Sequence, residues 1–274
     1  MAISTCSVES YFECNMQEPA VQKSDLGNCV VYSSPCPGRE GPNEDAAALI
    51  KVAADHCLLV LADGFGGHPA GAWAAATAIR QVEIAVCERG TSEDNLISSI
   101  VEGFEQANEA VRKPGAGSAT TLTVVDIEGE RARPYHVGDS AILIVGQRGR
   151  IKIRSIVHSP VGYAVESGLM DEQEAMNHAE RHIVSNMVGS EEMRIEIGPN
   201  LRLAPRDTVI IGSDGLWDNV LFEEVVEIIR KGVLVAGVQK LVDLSHDRMN
   251  SPQEGKPSKA DDLTLIAFRR LPKP

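Results

Sequence analysis

Apolar positions along this chain change period several times, and the changes outline its elements. Val30 to Ser33 reads as a short strand, ended by the Pro-Cys-Pro-Gly run at 35–38. Ala46 to Val52 and Cys57 to Ala62 are strand-sized apolar runs with a turn at Ala54-Asp55. From Ala70 to Glu88 the sequence is Ala-rich and free of Pro, which predicts a long helix. Thr91-Ser92-Glu93-Asp94 carries the residues of a helix start, with acids in the first turn, so a second helix is expected to run to Arg112 and stop at Pro114-Gly115. These two helices are expected to form an antiparallel pair. Then β-branched runs return at Thr120–Ile127, Arg131–Val137, Ala141–Val145 and Arg150–Ile156. The turns between them, Glu128-Gly129, Gly138-Asp139 and Gln147-Arg148-Gly149, suggest an antiparallel meander. Residues 158–190 read as short helices in an insert. Strands follow at Arg194–Ile197 and Thr208–Ile211, helices at Phe222–Arg230 and Leu234–Met249, a polar loop at 250–259 and a closing strand at Leu263–Phe268.

Helices thus come in pairs between blocks of strands. That arrangement predicts an antiparallel α+β layered fold and disfavours a doubly wound parallel sheet. No internal boundary is visible. Residues 1–28 are polar and weakly patterned and read as a loose N-terminal extension, followed by a single domain over 29–274.

Composition narrows the partners. The chain has 274 residues with 43% hydrophobic and 4% aromatic side chains, so its core must be built from Ala, Val, Ile and Leu. With 26 basic and 39 acidic residues the net charge is −13, which disfavours nucleic acid and anionic membrane surfaces. The first residues lack Lys, Arg and a long apolar run, and no stretch reaches the ~18 apolar residues of a membrane span, so a cytoplasmic location is expected. The cysteines, Cys6, Cys14, Cys29, Cys36, Cys57 and Cys87, form no CxxC pair and are expected to be reduced, mostly buried thiols.

The carboxylates change the picture most. Asp45, Asp63, Asp139, Asp214 and the Asp261-Asp262 pair each sit at the end of an apolar strand, usually beside Gly. One such Asp is an ordinary turn or cap residue. Several charges at buried strand ends are costly unless paired, and no comparable set of Lys or Arg neighbours these motifs in the sequence. Hard divalent cations are the natural counter-charge, and Gly64 lets a backbone carbonyl approach an ion closely. A carboxylate-bound pair of Mg²⁺ or Mn²⁺ ions is therefore expected. Two such ions ~3.5–4 Å apart can activate a water for in-line displacement at phosphorus, which favours phosphate-ester hydrolysis.

The motifs PNEDAAAL (42–49), LVLADGFGGHPAGAWAA (59–75), GSATTLTVV (117–125), YHVGDSAILIV (135–145), VIIGSDGLWDNV (209–220) and ADDLTLIAF (260–268) occur in the order found in the metal-dependent protein phosphatases of the type 2C family. The chain resembles the compact bacterial members of that family over roughly residues 30 to 270. The resemblance implies a central β-sandwich flanked by pairs of helices, in four layers α/β/β/α. It implies that Asp63 bridges two ions, that Gly64 gives its carbonyl oxygen to one, and that Asp214 and Asp261 serve the other. Asp45 and Glu44 would hold metal-bound waters, and Asp139, helped by Asp218, would serve a third ion. Residues 158–190 match the family's flap. The implied reaction is attack of a water lying between two ions on a phosphoserine or phosphothreonine, with phosphorylated proteins as substrates, in opposition to a Ser/Thr kinase.

Departures from the family pattern are local. Arg39, the candidate phosphate ligand, stands six residues before Asp45, one more than usual; Phe65 follows Asp63-Gly64; Ala141 replaces the usual Arg after VGDS; and the usual Asp-Asn pair is Asp261-Asp262. His68 is a candidate general acid. A degenerate phosphatase that docks phosphoproteins without cleaving them, or a small-molecule phosphatase, are the alternative readings. Trp73 and Trp217 are expected on apolar faces, and His56, His136, His158, His178, His182 and His246 are expected at the surface or in loops.

Overall fold

The structure, a computed structural model, describes residues 6–65, 67, 69–89, 93–114, 117–176 and 178–272. The strands are β1 (Ser7–Phe12), β2 (Ala20–Lys23), β3 (Gly27–Ser34), β4 (Ala46–Ala53), β5 (His56–Ala62), β6 (Gly64–Phe65), β7 (Ala119–Thr120), β8 (Leu122–Glu128), β9 (Arg131–Val137), β10 (Ala141–Val145), β11 (Ile151–Arg154), β12 (Glu196–Ile197), β13 (Leu201–Arg202), β14 (Thr208–Gly212) and β15 (Leu263–Arg270). The helices are α1 (Ala70–Arg89), α2 (Glu93–Arg112), α3 (Pro160–Glu166), α4 (Glu172–Met176), α5 (Asp214–Trp217), α6 (Phe222–Ile229) and α7 (Leu234–Asn250).

One antiparallel sheet runs β1-β4-β5-β8-β9-β12, with β13 also on β9; a second runs β11-β10-β14-β15-β3-β2. Strand alternation divides their side chains among three apolar layers. In β4, Ala46, Ala48 and Ile50 face helices α1 and α2, while Ala47 and Leu49 face the other sheet. In β15, Ile266 and Phe268 face the first sheet, while Leu263, Leu265 and Ala267 face α5, α6 and α7. Helices, sheet, sheet and helices therefore stack in four layers, the expected α+β architecture. The small side chains of α1, Ala74, Ala75 and Ala78, are fully buried and let the helix lie close on its sheet.

The structure corrects three sequence expectations. Residues 7–12 and 20–23 are not a loose extension: β1 pairs with β4 along one sheet's edge and β2 with β3 along the other's. Edge strands with one wet face show weak patterning, and the burial of β1 confirms this, with only Tyr11 buried. Cys6 and Cys87 form a disulfide that ties the start of β1 to the end of α1, whereas Cys14, Cys29, Cys36 and Cys57 remain thiols. The two cysteines are 81 residues apart in sequence, so only the fold brings them together. Trp73 is 41% exposed on α1, unlike Trp217, which is buried.

Candidate metal centre

The carboxylates gather where several strands of both sheets end. Asp63 follows β5. Its backbone N–H donates to the Thr121 hydroxyl at 2.9 Å, and its carbonyl accepts from Thr121 N at 2.8 Å and the Thr120 hydroxyl at 2.8 Å. That interruption at Thr121 also splits the predicted strand 120–127 into β7 and β8. Asp45 precedes β4, and its N–H donates to the Asn43 side chain at 2.9 Å. Asp139 lies in the turn between β9 and β10. Asp214 opens α5 and Asp218 caps its end, one helical turn on, with Asp218 N bonded to Asp214 O at 2.7 Å. Asp261 and Asp262 lead into β15, which pairs with β14 and sets the two loops side by side.

Two glycines make this packing possible. A Cβ on Gly64 would come within 2.2 Å of the Gly71 carbonyl oxygen, and one on Gly215 within 1.9 Å of the Asp262 carbonyl oxygen. Only a residue without a side chain allows the α1 start and the α5 turn to approach the acid loops.

The electrostatics are extreme on one side of the cluster. Both oxygens of Asp45 are buried without a hydrogen-bond partner, although the Ser213 and Thr264 hydroxyls lie near enough to ease its ionisation. Burial, then the charge of Asp262, pushes Asp45 up to about 8. Burial and the charge of Asp45 hold Asp63 well above the carboxylate range. Burial followed by Asp218 lifts Asp139 to about 6, and one Asp139 oxygen is also a buried orphan. Burial and Asp261 raise Asp214. A buried carboxylate with no donor and with like-charged neighbours is a group waiting for a cation.

On the other side a cation is already built in. The Lys259 ammonium contacts Asp214, lies 3.2 Å from Asp218 and 3.1 Å from Asp261. Burial disfavours its charge, but these carboxylates outweigh that and raise its pKa. The expectation that no comparable set of Lys or Arg neighbours the motifs thus needs one addition, a single lysine set among three acids. Lysine at 259 had a sequence signal: it stands two residues before Asp261, a spacing that places both on one face of an extended chain.

Asp262 adds its charge to the cluster beside Asp45 while its oxygens hold backbone. Its oxygens accept from the backbone N–H groups of Cys36 and Glu44, each at 2.7 Å, so it pins the 36–44 loop. Arg39 also points at Asp262, at 2.5 Å, with Asp261 at 3.9 Å. The Glu44 carboxylate lies beside Gly71, at the start of α1. His68 lies outside the described residues.

Among the described residues, the three metal-ligating side chains whose ligand atoms come within 4.8 Å of one another are His136, His158 and Glu196. The carboxylates of the centre share a field without meeting that closely. His136 in β9 and His56 in β5 are buried strand residues, contrary to expectation, and His56 pairs with Asp126 at 2.6 Å; His158 lies in a loop, as expected, but is buried there. Hydrogen bonds account for the His136–His158 pair. His158 Nδ1 accepts from Gly138 N at 3.0 Å and lies 2.9 Å from the Asn186 amide, which leaves Nε2–H to face Glu196 at 3.2 Å. The stacked His136 ring bonds the Ile156 carbonyl at 2.9 Å. Together they brace the Asp139 turn against the 158–190 segment.

A groove of about 180 Å³ opens beside Asp139, Asp214 and Asp218, walled by Trp217 and by α3 of the 158–190 segment. Arg154 lines it and stacks on the Phe222 ring at 3.6 Å. Among the described residues no helix is long and apolar enough to cross a membrane.

Comparison with known proteins gives one consistent result. The family profile for protein phosphatase 2C matches residues 37–245. Protein phosphatase PhpP of Streptococcus pneumoniae serotype 2 is 26% identical over 193 residues, covering 67% of this chain and 76% of PhpP. The serine/threonine phosphatase Stp1 from Staphylococcus aureus shares the fold with a TM-score of 0.76 at 21% identity, over 93% of this chain and 99% of Stp1. The catalytic domain of serine threonine protein phosphatase PstP, solved in complex with two manganese ions, gives 0.70 at 22% identity, over 90% and 99%.

Proposed function

The chain belongs to the protein phosphatase 2C family, and from that premise we propose that it hydrolyses phosphoserine and phosphothreonine in proteins with the help of Mn²⁺ or Mg²⁺. The observation that carries this reading is Asp45: a buried carboxylate whose two oxygens lack a hydrogen-bond partner and whose charge acts on a second buried acid, Asp63. Such a pair is stable as dianions only with a cation between or beside them. The donor set is all oxygen, which suits Mn²⁺ or Mg²⁺ and disfavours zinc.

Asp45, Asp63, the Gly64 carbonyl, Asp214 and Asp261 would hold up to two ions, and Asp139 with Asp218 a third. Glu44 would orient water at that site. Bound there, divalent ions supply the positive charge that draws a phosphate in and lowers the pKa of an attacking water. The chain's own residues do the rest. Asp262 fixes the 36–44 loop, so that Asp45 is presented at a set depth. Arg39, 37% exposed at the rim, is placed to exchange Asp262 for an incoming phosphate oxygen. His68, four residues after Gly64 in the sequence, is kept as the candidate proton donor. The groove under α3, with Arg154 at its wall, would seat the phosphopeptide, with 158–190 as its flap and a catalytic domain that takes in β1 and β2 as well as the expected 29–274. In this reading the enzyme works in the cytoplasm against a Ser/Thr kinase.

Turnover of p-nitrophenyl phosphate and of a phosphothreonine peptide, with and without Mn²⁺, tests the proposal. Mn²⁺-dependent release of phosphate from the peptide is expected. Failure with both substrates, with Mn²⁺ shown to be bound, overturns it.

A further inference from the structure

Lys259 carries an inference of its own. Its side chain is not a surface lysine that happens to reach an acid. The backbone on either side of it is clamped: Lys259 N–H donates to the Asn219 amide oxygen at 2.9 Å, and the Asn219 amide nitrogen donates to the Lys259 carbonyl at 2.8 Å. Asn219 is fully buried and also donates to the Gly215 carbonyl at 2.9 Å, inside the α5 turn that carries Asp214 and Asp218. The loop that holds the lysine and the helix that holds two of its acids are therefore one rigid unit. An ammonium has three hydrogens, and Lys259 finds three carboxylates, Asp214, Asp218 and Asp261. It hydrogen-bonds to Asp214 and is ion-paired to Asp218 and Asp261.

The opposite side of the cluster has no such cation. Asp45 keeps both side-chain oxygens without a hydrogen-bond partner. The two halves thus demand different things of the solution.

We propose that Lys259 is a resident cation that takes the place of one divalent ion at Asp214, Asp218 and Asp261, so that this chain holds one ion tightly, on the Asp45–Asp63–Gly64 side, and a second only weakly, in competition with the ammonium. This rests on the reading of the cluster as a divalent-ion site. The competition has a simple cause: Asp214 and Asp261 cannot give the same oxygens to an ion and to an ammonium, and the two cations repel at that range. Lysine 259 then sets the number of ions held at low Mn²⁺. It is a positioning residue, acting through the acids it occupies.

Native mass spectrometry of the whole chain after exchange into metal-free buffer, with isothermal titration of MnCl₂, tests this. One retained ion and a second site at least ~10-fold weaker are expected for the natural chain. Lys259→Met keeps the stem and removes the charge; it should tighten the second site at least ~10-fold and bring the retained count to two. Lys259→Arg keeps the charge and should stay at one. Should Lys259→Met not be obtained folded, Lys259→Gln, purified with Mn²⁺ throughout, carries the same expectation. Two tightly retained ions in the natural chain, or a second site unmoved by loss of the charge, overturn the proposal and leave the metal reading standing. No Mn²⁺ bound by any of the chains overturns the metal reading and the proposal with it.

Discussion

The two sides of the carboxylate cluster meet the same problem with opposite solutions. Around Asp214, Asp218 and Asp261 part of the charge is offset within the chain, by one ammonium set among three carboxylates. Around Asp45 and Asp63 no ammonium or guanidinium of the described residues does so: burial and neighbouring carboxylates raise both groups, with only the Ser213 and Thr264 hydroxyls to ease Asp45. A cluster with a built-in counter-charge loses less on burial. An uncompensated one costs stability until a ligand arrives, and that cost is the mark of a site selected for binding. The difference separates what this end of the sandwich does for folding from what it does for a substrate.

The largest effect is expected from removing the charge on the uncompensated side. Asp63→Asn should lower Mn²⁺-dependent turnover of p-nitrophenyl phosphate by about 1000-fold or more, because the carboxylate proposed to serve the ions is lost. In chelator the same substitution should raise the melting temperature, since a buried, repelled acid has been replaced by a neutral amide. Activity and stability moving in opposite directions would be the signature of an uncompensated site. A fall in both would mean that Asp63 is a structural acid, and the contrast between the two sides would be lost.

Gly64→Ala attacks the same side through packing. The new Cβ would sit 2.2 Å from the Gly71 carbonyl oxygen, so the α1 start or the Asp63 turn must shift. A cost of about 1–3 kcal/mol is expected from such overpacking, read by urea unfolding in chelator, together with weaker Mn²⁺ binding by calorimetry. An unchanged affinity would show that the Gly64 carbonyl is not part of the ion's surroundings.

A smaller effect should appear as a pH dependence. Asp45 and Asp139 titrate in the folded chain at about 8 and about 6, above their unfolded values. The folded state thus holds more protons than the unfolded one, and stability falls as pH rises through those values. Melting temperature in chelator should decline between about pH 5 and about pH 8. Saturating Mn²⁺ should flatten the decline, with proton release on binding across the same range. A flat profile in chelator would mean that these acids find counter-charge elsewhere in the chain.

Much of this was legible in the sequence, and the remainder has physical reasons for being hidden. The near-continuous apolar runs of Ala46–Val52, Cys57–Ala62 and Leu263–Phe268 revealed their strands because both faces are largely dry. β1 and β2 escaped because each lies at a sheet edge with one face wet. The acids could be read because Asp beside Gly at the end of an apolar run is costly wherever the chain goes. Their arrangement could not, since it depends on which loops the β14–β15 pairing sets side by side. Lys259 was hidden in a polar loop, where lysines are usually solvated; only the Asn219 clamp makes it a member of the site. Asp262 was expected to support the ligands without binding an ion, and its hydrogen bonds to the 36–44 backbone are compatible with that role.

The smallest effect at the site, and the sharpest control, comes from its far side. Cys6–Cys87 joins an edge strand to the end of α1, and α1 begins at the loop that carries Gly64. If the first sheet and α1 transmit strain to the centre, cutting this link should disturb ion binding. If the centre is set locally, by Asp262 and by the Gly64–Gly71 approach, cutting it should not. The local account is favoured, because β4, β5 and β8 pair along their full lengths between the disulfide and the acids. Cys6→Ser should therefore cost about 2–4 kcal/mol of unfolding free energy, through the closed loop it releases, while the calorimetric affinity for Mn²⁺ stays within about twofold, well inside the ~1.4 kcal/mol that a tenfold change represents. A larger loss of affinity would make the N-terminal strand part of the ion site's support, and the sharp line drawn between the compensated and uncompensated sides would have to extend through α1.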